Sequence, residues 1–136
     1  MRAQEKLMKI NRKEKTVRAS CHCGSIQLKL FLKKGLKPII RCNCSMCSRN
    51  KGFGMICIPL SDILVVKGFE SMTEYIFKSQ TSPHVFCILC GVHTHHKSRR
   101  KPDNLCINVA CIEGLNVNDY GNEVISFDGI NHPMDN

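Results

Sequence analysis

The 136-residue chain has room for one compact domain, and its 43% hydrophobic content excludes global disorder. Its longest aliphatic run, Ile63 to Val66, is far too short to cross a membrane. The net charge is +9, and seven of the 20 Lys and Arg residues fall within residues 1–18. We therefore predict a basic, poorly ordered N-terminal arm over residues 1–18 and a folded domain over residues 19–136.

Short alternating segments separated by turns predict a mainly β fold. Ile26 to Leu32 alternates apolar and other residues with a period of two, as in a half-buried strand. Phe53 to Ile58 is apolar and stops at Pro59, which predicts a buried strand. Further short strands are predicted, in chain order, at 63–66, 73–78, 92–96 and 105–110. The only helical stripe before residue 110 is a weak one over residues 5–10, so we predict a single, mainly β domain.

Ten cysteines are the strongest chemical signal in the chain. No apolar stretch follows the basic N-terminus, so no signal peptide is predicted and the expected location is cytoplasmic. In a reducing compartment, many cysteines indicate metal binding or catalysis rather than disulfides. Seven lie in three tight clusters, with zinc as the default metal: Cys21 and Cys23; Cys42, Cys44 and Cys47; Cys87 and Cys90. The remaining three are predicted to be small buried hydrophobic residues: Cys57, Cys106 and Cys111.

Seven thiolates divide naturally into a set of four and a set of three. Four thiolates form a closed, structural zinc site, whereas three leave one position open, which is typical of catalytic zinc. The two doublets pair most naturally across a β scaffold, and the triplet can hold an ion by itself. Spacing alone does not decide which clusters share an ion.

These motifs resemble the glutathione-dependent formaldehyde-activating family, which includes centromere protein V. The resemblance runs from about Ser20 to the C-terminus and rests on Cys-His-Cys-Gly at 21–24, Cys-Asn-Cys-Ser-x-Cys at 42–47 and Phe-Cys-x-x-Cys-Gly at 86–91. The segments at 94–100, 108–114 and 128–133 resemble a bacterial branch of that family. The resemblance implies a β-tent of short antiparallel sheets stapled by zinc. It also implies two zinc ions per chain, one structural on Cys21, Cys23, Cys87 and Cys90, and a second, exchangeable one on Cys42, Cys44 and Cys47.

The resemblance further implies a carbon–sulfur lyase that adds glutathione to formaldehyde, giving S-hydroxymethylglutathione. A thiol at the open zinc position would lose its proton and become the nucleophile. Arg99 and Arg100 suit the carboxylates of glutathione, although both could equally belong to a solvated loop. A proton for the product hydroxyl could pass through a histidine; the candidates are His95, His96 and His132.

A function of a different class stays open at this stage. The chain could be a non-catalytic, zinc-stabilised module that binds nucleic acid or a protein through residues 1–15 and through the basic segment at 97–101. Against nucleic acid, the eight aromatic residues are not interleaved with basic ones. No membrane partner is expected, and the sequence leaves the oligomeric state open.

Overall fold

The computed structural model describes residues 15–36, 38–76, 82–116, 118 and 124–135, in which ten strands form two sheets. The strands are β1 (Lys15–Ser20), β2 (Gln27–Leu32), β3 (Ile39–Cys42), β4 (Met55–Pro59), β5 (Ile63–Lys67), β6 (Met72–Tyr75), β7 (His84–Cys87), β8 (His93–Lys97), β9 (Asn104–Asn108) and β10 (Val124–Phe127). One short helix, α1 (Cys47–Asn50), follows β3. The predicted mainly β class is confirmed. None of the helices in the described ranges is long and apolar enough to span a membrane.

The smaller sheet has three strands in the order β1-β2-β5, all antiparallel. Strand β2 lies in the centre, and its alternation buries Leu28, Leu30 and Leu32 as the sequence predicted. Strand β1 pairs with β2 from Lys15 opposite Leu32 to Ser20 opposite Gln27. The predicted arm boundary at residue 18 therefore falls inside β1, and residues 15–18 belong to the folded domain. The remainder of the predicted arm, residues 1–14, lies outside the described residues, as does the weak helical stripe at 5–10.

The larger sheet has seven strands in the order β10-β3-β4-β9-β8-β7-β6. All neighbours are antiparallel except β10, which runs parallel to β3. The predicted strands at 53–58, 63–66, 92–96 and 105–110 correspond to β4, β5, β8 and β9, with shifted ends. The predicted strand at 73–78 corresponds to β6, and its residues 77 and 78 lie outside the described part of the chain. Strands β1, β3, β7 and β10 were not predicted.

The main hydrophobic core is shared by the two sheets. Leu28 and Leu30 from the smaller sheet belong to the same buried cluster as Ile56 and Ile107 from the larger one. Burying each of these side chains contributes about 1.5–3 kcal/mol. A second, smaller cluster lies at one end of the larger sheet and is rich in sulfur; its buried members are Cys42, Cys47, Met55 and Cys106. All four of these residues also line a cavity, which is described below.

The structure corrects one prediction about the cysteines. Cys57 and Cys106 form a disulfide instead of standing as separate buried thiols. They face each other in the register of β4 and β9, with Cα atoms 3.9 Å apart. The two cysteines are 49 residues apart in the sequence, and only the pairing of β4 with β9 brings them together. Their contact was therefore not predictable from cysteine spacing. Cys111 is buried and unbonded, as expected.

Candidate metal centres and active site

The first candidate metal centre consists of four cysteine sulfurs that lie within 4.8 Å of one another: Cys21, Cys23, Cys87 and Cys90. Cys23 Sγ is 3.7 Å from the sulfurs of both Cys21 and Cys87. A tetrahedron of thiolates about 2.3 Å from zinc has edges of about 3.8 Å, so these distances fit the ion closely. Backbone amides of Ile26 and Leu89 donate to Cys21 Sγ and Cys87 Sγ at 3.3 and 3.4 Å, as expected for thiolate acceptors.

Two tight turns present these sulfurs. Each turn places a glycine with positive φ after its second cysteine, Gly24 at 82° and Gly91 at 78°. Residues with a Cβ rarely adopt this conformation. The amides of Gly24 and Gly91 close the turns on the carbonyls of Cys21 and Cys87 at 3.2 and 2.8 Å. One turn joins β1 to β2 and the other joins β7 to β8, so the four sulfurs connect the two sheets.

The second candidate centre is the triplet of Cys42, Cys44 and Cys47. Cys42 ends β3, and Cys47 begins α1 with its amide donating to Cys44 Sγ at 3.2 Å. The hydrogen bond between the Cys42 and Cys44 side chains lowers the pKa of Cys44 and raises the pKa of Cys42. Hydrogen bonds to Cys42 and Cys44 raise the pKa of Cys47. A divalent ion favours the deprotonated form of all three sulfurs, so the donor set fits zinc.

The C-terminal turn lies directly over this triplet. A Cβ at Gly129 would collide with Cys42 Sγ and would lie 3.0 Å from Cys44 Cβ. The turn is held by Asn43, whose Oδ1 accepts the amides of Gly129 and Ile130 at 2.7 and 3.1 Å. Only glycine allows the backbone to approach the sulfurs this closely.

One cavity of about 770 Å³ opens beside the triplet. All three cysteines of the triplet line it, together with the disulfide-bonded Cys57 and Cys106. Aromatic and imidazole residues line it as well, namely Phe31, Phe127, His84, His96 and His132. Its basic lining residues are Lys33, Lys34, Arg99, Arg100 and Lys101. This combination of apolar wall, convergent polar groups and candidate metal ligands is typical of an active site.

The structure brings most of the sequence-predicted substrate groups to this cavity, but not His95. Arg99 and Arg100 line it, with the Arg100 guanidinium 5.5 Å from the centre of the Phe127 ring. His95 is not among the lining residues, and its Nδ1 lies 2.8 Å from the Thr94 hydroxyl. His96 takes its place because successive residues of β8 point to opposite faces. His132 also lines the cavity, and its Nδ1 accepts the amide of Met134 at 3.0 Å.

A cluster of three buried histidines was missed by the sequence reasoning: His84, His93 and His96. His84 and His96 face each other across β7 and β8 with their rings stacked 4.6 Å apart. Burial lowers the pKa of His84 to about 4, so this imidazole is neutral at pH 7. His84 Nδ1 lies 3.3 Å from His93 Nε2. No sequence motif marks this cluster, because it depends on the strand register.

Lys51 lies between the histidine cluster and the cysteine triplet. Its side chain is 2% exposed, and its Nζ lies 3.0 Å from Asn50 Oδ1 and 3.3 Å from His93 Nε2. Burial lowers its pKa to about 8, while the charge of Cys47 acts in the opposite direction. The positive charge of protonated Lys51 disfavours the binding of a metal cation by the neighbouring histidines. The same charge favours thiolates at the triplet.

Comparison with known proteins identifies the family of this chain. A crystal structure of a Rhodobacter sphaeroides protein is 40% identical to this chain, covering 81% of this chain and 99% of its own, with a TM-score of 0.74. The sequence profile of the glutathione-dependent formaldehyde-activating enzyme family matches residues 16–124. The resemblance inferred from the cysteine motifs is thereby confirmed. The chain belongs to the glutathione-dependent formaldehyde-activating enzyme family.

Proposed function

We propose that this chain is a zinc-dependent carbon–sulfur lyase that acts on the adduct of glutathione, or a similar thiol, with formaldehyde or a related small molecule. The observation that carries the proposal is one cavity lined both by Cys42, Cys44 and Cys47 and by Arg99 and Arg100. A glutathione molecule offers matching groups, because its thiol suits the triplet and its carboxylates suit the guanidinium groups. The cavity volume of about 770 Å³ lies within the usual range for small-molecule sites.

The two cysteine clusters would hold two zinc ions with different roles. Cys21, Cys23, Cys87 and Cys90 are proposed as the closed structural site, since they use four thiolates and tie the two sheets together. The triplet is proposed as the open site, since its three sulfurs leave one position for a substrate. The histidine cluster is proposed to remain free of metal because Lys51 already lies 3.3 Å from His93 Nε2.

The reaction forms one bond and moves one proton. The sulfur of the thiol bonds to the aldehyde carbon, the carbonyl electron pair becomes an alkoxide, and the thiol proton ends on that oxygen. Zinc at the triplet would keep the entering thiol deprotonated near neutral pH. The surrounding protein would orient the thiol substrate, attract its negatively charged groups and supply a side chain that passes the thiol proton to the product oxygen.

The basic edge of the cavity would orient an anionic thiol. Lys33 is neutralised by Asp62 at 3.2 Å, so the positive charge of this edge comes from the other lining cations, Lys34, Arg99, Arg100 and Lys101. Arg99 is half-buried in the lining of the cavity, where a carboxylate contact is screened less than on an open surface. Loss of one such charge-assisted contact weakens binding by about 1.5–3 kcal/mol.

His96 is the best-placed group for the proton. It lines the cavity and is only 7% exposed, and its Nδ1 has no hydrogen-bond partner within the described residues. Burial lowers its pKa well below the usual value, so the ring is neutral near pH 7. His84 stacks against it and fixes the plane of the ring.

The proposal is tested by exchange NMR between formaldehyde and S-hydroxymethylglutathione in the presence of the zinc-loaded protein. We expect Arg99→Ala to raise KM for glutathione roughly tenfold or more while changing kcat little. The same variant should have little effect with 2-mercaptoethanol, which lacks carboxylates. Arg18→Ala is the matched control, because Arg18 is exposed, donates a hydrogen bond to Gln27 Oε1 at 3.2 Å and does not line the cavity.

Two outcomes would contradict the proposal. A wild-type protein that does not accelerate the exchange, although it carries both zinc ions, would favour the non-catalytic binding module. An equal rise in KM for both thiols in Arg99→Ala would mean that this arginine supports the cavity wall instead of binding a carboxylate.

A further inference from the structure

The wall of the candidate active site contains a disulfide that the proposed reaction does not use. Cys57 and Cys106 both line the cavity beside Cys42, Cys44 and Cys47. Cys57 packs against the same small cluster in which Cys42, Cys47 and Cys106 are buried. A cavity that binds small thiols would therefore bring them next to a protein disulfide, and thiolates attack disulfides.

The two sulfurs of this bond belong to side chains of unequal accessibility. Cys57 is half-buried, whereas Cys106 is 2% exposed. A thiol arriving from the cavity therefore meets Cys57 first, and Cys106 is the sulfur that leaves. The strands would stay in place after the bond opens, because β4 and β9 also pair from Met55 opposite Asn108 to Pro59 opposite Asn104.

We propose that Cys57 and Cys106 form a thiol–disulfide exchange site for the small thiols and disulfides that enter this cavity. In the first step the thiolate of a small thiol bonds to Cys57 Sγ, the Cys57–Cys106 bond breaks, and its electron pair leaves on Cys106 Sγ, which takes a proton. A second thiol attacks the mixed disulfide and releases a small disulfide. The sum oxidises two small thiols and reduces the protein disulfide to two thiols. The reverse reaction with a small disulfide restores the bond.

This exchange goes beyond the proposed lyase activity and does not depend on it. It requires only that small thiols reach the cavity, and it can be measured without formaldehyde. Loss of one activity with retention of the other is therefore directly observable.

The test uses the zinc-loaded protein, glutathione disulfide as the probe, and peptide mapping by mass spectrometry. In Cys106→Ser the remaining Cys57 should accumulate a mixed disulfide, because its disulfide partner is absent and zinc would occupy the nearby sulfurs of the triplet. In Cys57→Ser the remaining Cys106 should react about tenfold more slowly because it is buried. Cys111 serves as an internal control, since it is a buried free thiol outside the cavity lining and burial raises its pKa to about 12.

A second measurement uses the wild-type chain, so its result does not depend on whether the variants fold. Wild-type protein reduced with glutathione should lose the Cys57–Cys106 bond while retaining its zinc and circular dichroism spectrum, and glutathione disulfide should restore the bond. The proposal is overturned if the bond in the folded wild type resists excess glutathione but yields after denaturation. It is also overturned if a folded Cys106→Ser protein shows no modification at Cys57.

Discussion

Replacing Gly129 with alanine should weaken zinc binding at the triplet without unfolding the domain. The added Cβ would overlap Cys42 Sγ and would lie 3.0 Å from Cys44 Cβ and 3.3 Å from the Cys44 amide nitrogen. Two of these three contacts are with the side chains of proposed zinc ligands. The new methyl group therefore forces either the sulfurs or the C-terminal turn to move.

Each of these two movements has an approximate cost in free energy. Moving the turn away breaks the hydrogen bonds from Gly129 and Ile130 to Asn43 Oδ1, each contributing about 0.5–1.5 kcal/mol. Moving the sulfurs instead is a case of overpacking, which typically destabilises by about 1–3 kcal/mol. Either response loses about 1–3 kcal/mol. Where that loss falls on the zinc-bound arrangement of the triplet, it corresponds to zinc binding that is roughly fivefold to 150-fold weaker.

Competition with a chromophoric chelator measures this affinity directly. Gly52→Ala is the matched control, because a Cβ there would meet only the Ser48 carbonyl oxygen at an ordinary 3.7 Å. We expect Gly52→Ala to bind zinc like the wild type. Equal affinity for the more weakly held zinc in Gly129→Ala and the wild type would refute the close packing of the turn on the triplet.

Three further predictions concern the metal sites and the turn above the triplet. Cys87→Ser should abolish soluble folding, because a structural four-thiolate zinc contributes about 10–16 kcal/mol of folding free energy, whereas Cys44→Ser should stay folded by circular dichroism. Elemental analysis should find two zinc ions per chain, and mild chelation should remove one of them while the fold stays intact. His96→Ala should also bind two zinc ions. If the wild type instead bound three and His96→Ala bound two, the third ion would lie on the histidine cluster. Asn43→Ala should weaken zinc binding at the triplet less than Gly129→Ala, as measured by the same chelator, because it loosens the turn without inserting a group.

The sequence was most informative where the chemistry is local. Cysteines two or three residues apart can share an ion whatever the rest of the chain does, so the three clusters were recognisable from spacing. The alternation in β2 was equally local and correctly predicted which face of the strand is buried. Joining the two doublets into one site needed the family resemblance, and the sulfur distances in the structure now agree with it.

The features that the sequence did not reveal depend on pairing between distant segments. The disulfide requires β4 beside β9, and the histidine cluster requires the register that sets His84 opposite His96. The cover over the triplet depends on Asn43, whose contacts reach the C-terminal turn 86 and 87 residues away. Composition and periodicity carry no information about such register. His96 lines the cavity and its neighbour His95 does not, because adjacent residues of a strand face opposite sides of the sheet.

The central claim is that a thiol binds through its sulfur at the triplet, and the cobalt-substituted protein tests it most directly. Thiolate ligands give cobalt intense charge-transfer bands, so entry of another sulfur changes the spectrum. We expect glutathione to change these bands with release of a proton, S-methylglutathione to leave them unchanged, and Cys44→Ser to lose the response while keeping the metal of the four-cysteine site. An identical spectral change with S-methylglutathione would contradict the account, because that molecule has no thiol to offer the metal.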